Sequence, residues 1–329
     1  MQRNVTSLLV AMLLILPLAY RAADTLPTEL SDSAFWKMVA DFSEPNGFFQ
    51  YTVITSNETS YQEVLPELTR RITSGGVYFG VGPEQNFTYI AALRPKMAFI
   101  VDIRRDMMLE HLMYKAIFEM SVDRAAFVAN LFSRPRPAQL IADAPVETIF
   151  RAFAVRGDER LADAHLTEIL ARLKTHGFLL TTDDERRLRG IYLTFLREGV
   201  VTFNSSVESP GYTTLMTVTD GRGRNWSFLA SADAYNRVRV MQQKNLIVPL
   251  VGDFGGPKTL RMAGDYVRQH GAVVDVFYLS NVEDYIQDVA PAYLRNVKSL
   301  PTSPSSLVIR TSLRANSFRP WLAPISELQ

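Results

Sequence analysis

Two glycines and an acid, set along two short apolar runs, are the part of this chain best suited to holding a ligand. Val77-Tyr78-Phe79 leads into Gly80-Val81-Gly82-Pro83; a helical stretch follows from about Glu84 to Leu93, and Pro95 stops it. A second apolar run, residues 97–102 (MAFIVD), ends in Asp102, 20 residues after Gly82. Glycines at a strand–helix turn let the backbone bend tightly and approach a ligand. An acid at the end of the next strand accepts two hydrogen bonds from ribose hydroxyls. This is the layout of a first βαβ unit that binds a nucleoside outside the carboxyl ends of its strands.

The residues around the turn narrow the ligand class. A dinucleotide site wants Gly-x-Gly-x-x-Gly, so that a pyrophosphate can reach the helix N-terminus. Here Gln85 stands at the third glycine position, and the neighbouring Glu84 would repel phosphate. Both disfavour NAD and FAD. They disfavour S-adenosylmethionine less, because it carries no phosphate and its sulfonium and amine tolerate a carboxylate. Gly252-Asp253-Phe254-Gly255-Gly256-Pro257-Lys258-Thr259 comes close to a P-loop, but Pro257 replaces the second glycine and has no N–H for a phosphate cradle. His111, His165, His176 and His270 are scattered without metal-ligand spacing, and no Gly-x-Ser-x-Gly elbow is present. Arg104 and Arg105 beside Asp102 suit either an anionic substrate or a solvated basic pair. Asn57 and Asn86 also open N-x-T glycosylation triplets.

These residues need a scaffold. Continuous apolar strands separated by helices predict a parallel sheet covered on both faces. The pattern resumes at residues 246–251 (LIVPLV), 273–279 (VVDVFYL) and 305–313 (SSLVIRTSL), with helices expected over 258–271 and 282–297. Helices are also expected over 30–43 and 60–72, the second interrupted or restarted at Pro66. Residues 107–200 read as mainly helical, broken by Pro135, Pro137, Gly157, Gly177 and Gly199. Residues 213–230 suggest a β-hairpin turning at 220–224. The expected architecture is α/β: one doubly wound, mostly parallel sheet, with a largely helical insertion at about 107–240, forming a single domain over 24–329.

SNETSYQ, GVYFGVGPEQNFTYIAALRPKMAFIVDIRR and FYLSNVEDY together resemble an uncharacterised family of bacterial proteins with a class I S-adenosylmethionine methyltransferase-like Rossmann core, over about Phe42 to Arg310. The resemblance implies that Gly80, Gly82, Pro83, Glu84, Gln85, Asn86, Asp102, Arg104 and Arg105 line a crevice, with Ser56, Asn57 and Glu58 folding over it. Asp253 and Phe254 resemble the acid and ring-packing residue that meet the adenine in such enzymes. Ser280 and Asn281 close the strand where a methyl acceptor approaches. Glu84, Asn281 and Glu283 are then the candidates to orient or deprotonate an acceptor; Asn57, Glu58, Arg104 and Arg105 are candidates to bind it. The implied function is a methyltransferase-like protein that binds S-adenosylmethionine. The alternative is an exported, non-catalytic protein that uses the crevice for a small ligand or a protein partner. One departure is the short C-terminus: after residue 313 little remains, so the usual antiparallel last pair of strands is expected to be missing or reduced.

Composition sets the limits. The chain has 329 residues, 47% hydrophobic and 21% charged, with no cysteine and a net charge of +1. It is too apolar for a disordered chain. It excludes disulfide scaffolds, cysteine-ligated metal and thiol chemistry. Its charge gives no electrostatic footprint for nucleic acid. Arg3, the apolar run 7–20 and Ala22-Ala23 before Asp24 read as a cleaved export signal over residues 1–23; the alternative is an uncleaved membrane anchor. Export stands in tension with a cofactor made in the cytosol.

Overall fold

The computed structural model describes residues 24–328, apart from 52, 74, 199–209 and 315–316. The expected signal at 1–23 lies outside the described residues. The elements run α1 (Asp32–Phe42), α2 (Leu65–Arg71), β1 (Val77–Gly80), α3 (Gln85–Leu93), β2 (Met97–Asp102), α4 (Arg105–Met120), α5 (Arg124–Phe132), α6 (Val146–Ala152), α7 (Glu159–Thr175), α8 (Thr182–Glu198), α9 (Tyr212–Thr217), α10 (Ala232–Gln243), β3 (Ile247–Val251), α11 (Thr259–Gln269), β4 (Val274–Ser280), α12 (Ala290–Lys298), β5 (Leu307–Arg314) and β6 (Ser317–Pro324). The protein is α/β, and the helices from α4 to α10 fall between β2 and β3.

One six-stranded sheet has the order β3-β2-β1-β4-β5-β6. Its first five strands are parallel, and every residue of β1, β2 and β3 is buried. That is why these strands read as unbroken apolar runs rather than alternating ones. The order reverses between β1 and β4. At such a point the connections leave in opposite directions and open a crevice at the carboxyl ends of the strands. β6 pairs antiparallel with β5 along its whole length, from Leu307↔Pro324 to Arg314↔Ser317. The C-terminus therefore supplies one antiparallel strand, so the last pair is reduced rather than missing.

Two local readings are corrected. The hairpin expected at 213–230 is absent: α9 occupies its first arm, and turns and irregular backbone the second. Its threonines favour a strand, but Tyr212, Leu215 and Met216 recur at helical spacing and are all fully buried, so packing overrides propensity. Asp220 makes the turn, accepting from the N–H groups of Arg222 and Arg224. The helix expected over 282–297 begins only at Ala290. Pro291 lacks an N–H and tolerates only the first turn of a helix, so the stretch before it forms two single 3-10 turns, Val282–Asp284 and Gln287–Val289.

Candidate functional site

A cavity of about 480 Å³ opens where the strand order reverses, within the size range of small-molecule sites. Loops after four strands contribute to it: Gly82 and Pro83 after β1, Asp102 at the end of β2, Asp253 and Phe254 after β3, and Ser280 and Asn281 at the end of β4. Further lining comes from residues 48–51 and 53–58, the 3-10 turns at 282–289, and Phe318. Phe49, Tyr51 and Tyr285 meet edge to face, with ring centroids 5.0–6.2 Å apart.

The segment before β1 is pinned at both ends by carboxylates. Glu44 accepts from the N–H groups of Asp253, Lys258 and Thr259 at 2.8–3.1 Å, filling the N-terminus of α11. The site where a P-loop would seat phosphate is thus already taken by an anion of the same chain. At the other end Glu58 is buried (1% exposed) and accepts from Tyr278 Oη at 3.0 Å, Thr311 Oγ1 at 2.9 Å and Ser280 Oγ. Burial pushes its carboxyl above the ordinary range, against the pull of those hydroxyls. Ser280 reaches it from a left-handed conformation (φ 52°), next to a register shift in the β4–β5 pairing.

Most of the residues expected from sequence come together here. Asp102 lines the cavity with its Oδ1 accepting from the backbone N–H and the Nε of Arg104, at 2.9 and 3.3 Å. Arg104 also donates to Val53 O, tying the 48–58 segment to β2. Gly82 takes φ +76°, open space to a glycine and strain to anything else. Gln85 donates to Tyr278 Oη. Asn57 and Asn281 line the cavity, and Asn281 donates to Asp284 at 3.2 Å. Asp253 accepts from Gly255 N–H at 2.8 Å, and Phe254 packs edge-on to Phe277.

Five expected residues do not line the cavity. Gly80 is required by its own neighbours: a Cβ there would lie 2.0 Å from Asn86 Oδ1 and 2.8 Å from the Tyr78 ring. Asn86 serves the backbone, donating to the carbonyls of Val81, Gly82 and Pro83 and accepting from Tyr78 Oη at 2.8 Å. Glu84 is fully buried, with Oε1 accepting from Ser56 N–H at 3.3 Å and Oε2 without a partner. Burial pushes it up to about 8, so it is predominantly neutral at pH 7 and the expected repulsion of phosphate does not arise from it. Arg105 turns away into a two-bond pair with Asp184 at the start of α8, at 2.5 and 2.8 Å. Glu283 is held by Arg310 at 2.5 Å and reached by Tyr293 Oη at 3.4 Å. Neither Glu84 nor Glu283 lines the cavity.

Sequence reasoning missed Glu44, Tyr278, Thr311 and the aromatic group of Phe49, Tyr51 and Tyr285. Only Tyr278 had a signal, its place two residues before the strand end. His111 donates from Nε2 to Gly82 O at 2.9 Å, and burial pulls it down to about 4, so it stays neutral and supports the loop. Among the described residues no group of three or more His, Cys, Asp or Glu is placed to hold a metal ion, and no helix is long and apolar enough to cross a membrane.

No curated protein matches this chain. Residues 53–194 and 198–321 match one family model, and these spans include β1 to β5 and most of the cavity lining. The chain belongs to the family described as domain of unknown function DUF7790.

Proposed function

We propose that the cavity binds a nucleoside-type small molecule, with S-adenosylmethionine as the ligand, on a Rossmann-like core of the class I methyltransferase kind. The observation that carries this reading is Asp102: an acid at the end of β2, oriented by Arg104, opposite the Gly82-Pro83 turn where the strand order reverses. The lining favours a ligand without phosphate. It carries four acids, Glu58, Asp102, Asp253 and Asp288, against the single base Arg104. Pro83 offers no N–H at the turn, and Glu44 fills the α11 N-terminus. A polyanion would meet net repulsion; a zwitterion with extra positive charge would not.

On this reading the adenine lies toward Asp253 and Phe254, the ribose on Asp102, and the methionine part beyond β1. Methyl transfer would be an in-line displacement promoted by positioning. Calorimetric titration of the folded protein with S-adenosylmethionine, S-adenosylhomocysteine and NAD tests it. Binding of the first two and not the third is expected. Asp102→Ala should weaken that binding on the order of 10- to 100-fold, the cost of two lost hydrogen bonds to a charged group. Unchanged affinity in the variant would sink the assignment.

A further inference from the structure

We propose that Glu58 makes the β4–β5 end of the cavity a subsite for the positive charge of the ligand, so that the site holds a sulfonium more tightly than its neutral thioether product. The inference rests on the reading that the ligand is S-adenosylmethionine.

Glu58 differs from every other carboxylate of the lining. Asp102 is paired with Arg104. Asp253 is spent on its own turn with Gly255. Asp288 is exposed to water. Glu58 is buried, lines the cavity, and is held entirely by neutral groups from two strands: Tyr278 and Ser280 of β4 and Thr311 of β5, with the Gln85 amide of α3 alongside. The other titratable groups acting on it are the buried phenols of Tyr78, Tyr89 and Tyr278. Arg310, the basic residue of β5 nearest in sequence to Thr311 on its N-terminal side, is committed to Glu283. No lysine, arginine or histidine pairs with Glu58 among the described residues. Hydroxyl donors orient a buried carboxylate without cancelling its charge, and a cation in the adjoining space supplies what they lack.

The position along the sheet fits the ligand. Neighbouring strands lie roughly 4.8 Å apart. With the base at β3 and the ribose at β2, the part of the ligand beyond β1 comes to β4, where Ser280 and Tyr278 present Glu58. A left-handed residue other than glycine is costly backbone, and such strain concentrates at ligand sites; here it turns the Ser280 hydroxyl onto this carboxylate.

The chemistry gives the subsite a direction. In methyl transfer an acceptor lone pair forms the new bond to carbon, the C–S pair returns to sulfur, and the sulfonium becomes a neutral thioether. An anion facing that sulfur stabilises the starting state and loses its interaction as the charge disappears. Interactions stronger in the ground state than in the transition state slow the step. Glu58 therefore biases the cavity toward retention of the cation over turnover.

The test is calorimetric titration of the full chain and its Glu58→Gln variant with S-adenosylmethionine and S-adenosylhomocysteine, which differ at the sulfur alone. The wild-type protein should prefer the sulfonium by about tenfold or more. Glu58→Gln should abolish that preference while leaving affinity for S-adenosylhomocysteine within about twofold, a change too small to register as a lost contact. The wild-type comparison stands even if the variant does not fold: equal affinity for the two ligands overturns the subsite. Equal weakening of both in the variant also overturns it, because Glu58 would then only shape the wall. Binding of neither ligand by the wild-type protein removes the ligand reading and this inference together, whereas binding without preference removes the inference alone.

Discussion

The glycine turn after β1 and the acid–arginine turn after β2 each have two sides, and the sides do different work. Gly82, Pro83, Gln85, Asp102 and Arg104 open onto the cavity. Gly80, Glu84, Asn86 and Arg105, interleaved with them in sequence, hold the turns to the rest of the molecule. Asn86 ties down three carbonyls of the first turn; Arg105 fastens the second to α8. A ligand loop stays shaped without ligand only if its backbone groups are satisfied from behind, and here the inward residues do that. Residue type does not reveal the side: apart from Pro83, each set is one glycine, one acid, one amide and one arginine.

The comparison predicts that inward substitutions change stability and leave ligand affinity alone, the mirror image of Asp102→Ala. The largest effect belongs to Gly80→Ala. Its Cβ would overlap Asn86 and Tyr78, which are already bonded to each other, so a loss on the order of 3–4 kcal/mol is expected in urea unfolding followed by tryptophan fluorescence. A fully stable variant would break the division at its first residue.

Glu84→Gln comes next and is read from pH dependence. The group ionises at about 8 in the folded state against an ordinary 4.5. Its contribution is fully present below pH 4.5 and is lost as pH rises through about 8, because the unfolded chain releases the proton first. The wild-type protein should lose on the order of 2 kcal/mol relative to Glu84→Gln between pH 5 and 8, less than the full shift implies once a buried site relaxes. Parallel pH profiles would show that Glu84 reaches water and belongs with the cavity residues. The smallest effect is that of Arg105→Ala. Burial pushes the Asp184 carboxyl up, but the Arg105 guanidinium and the Thr181 bonds outweigh it and hold it at about 2. Arg105 is a third exposed, so its loss should cost about 1–2 kcal/mol. A drop in S-adenosylmethionine affinity instead would return Arg105 to the site.

What sequence revealed follows from how local each feature is. Burial on both faces leaves continuous apolar runs, so β1, β2 and β3 emerge from Val77-Tyr78-Phe79, residues 97–102 and residues 246–251. Asp102 is legible because its distance from Gly82 is the length of one helix and one strand. Glu44 meets partners more than 200 residues away, and Glu58 is held by side chains 220 and more residues on; no spacing rule reaches that far. The hairpin reading failed at Tyr212, Leu215 and Met216 because threonine-rich composition outweighed their helical spacing. The long final helix failed at Pro291, where proline ends a pattern that periodicity alone extends.

The outer strands of the sheet carry a consequence for the behaviour of many copies together. β3 forms one border and β6 the other. Pro249 sits mid-strand in the first, opposite Ile100, and Pro320 mid-strand in the second, opposite Thr311. Each removes an amide hydrogen from the border of the sheet, and an incoming strand finds the bonding row interrupted. A parallel sheet takes long to assemble and leaves its borders open meanwhile. The two prolines leave fewer amide hydrogens along both borders for a second chain to pair with during that interval.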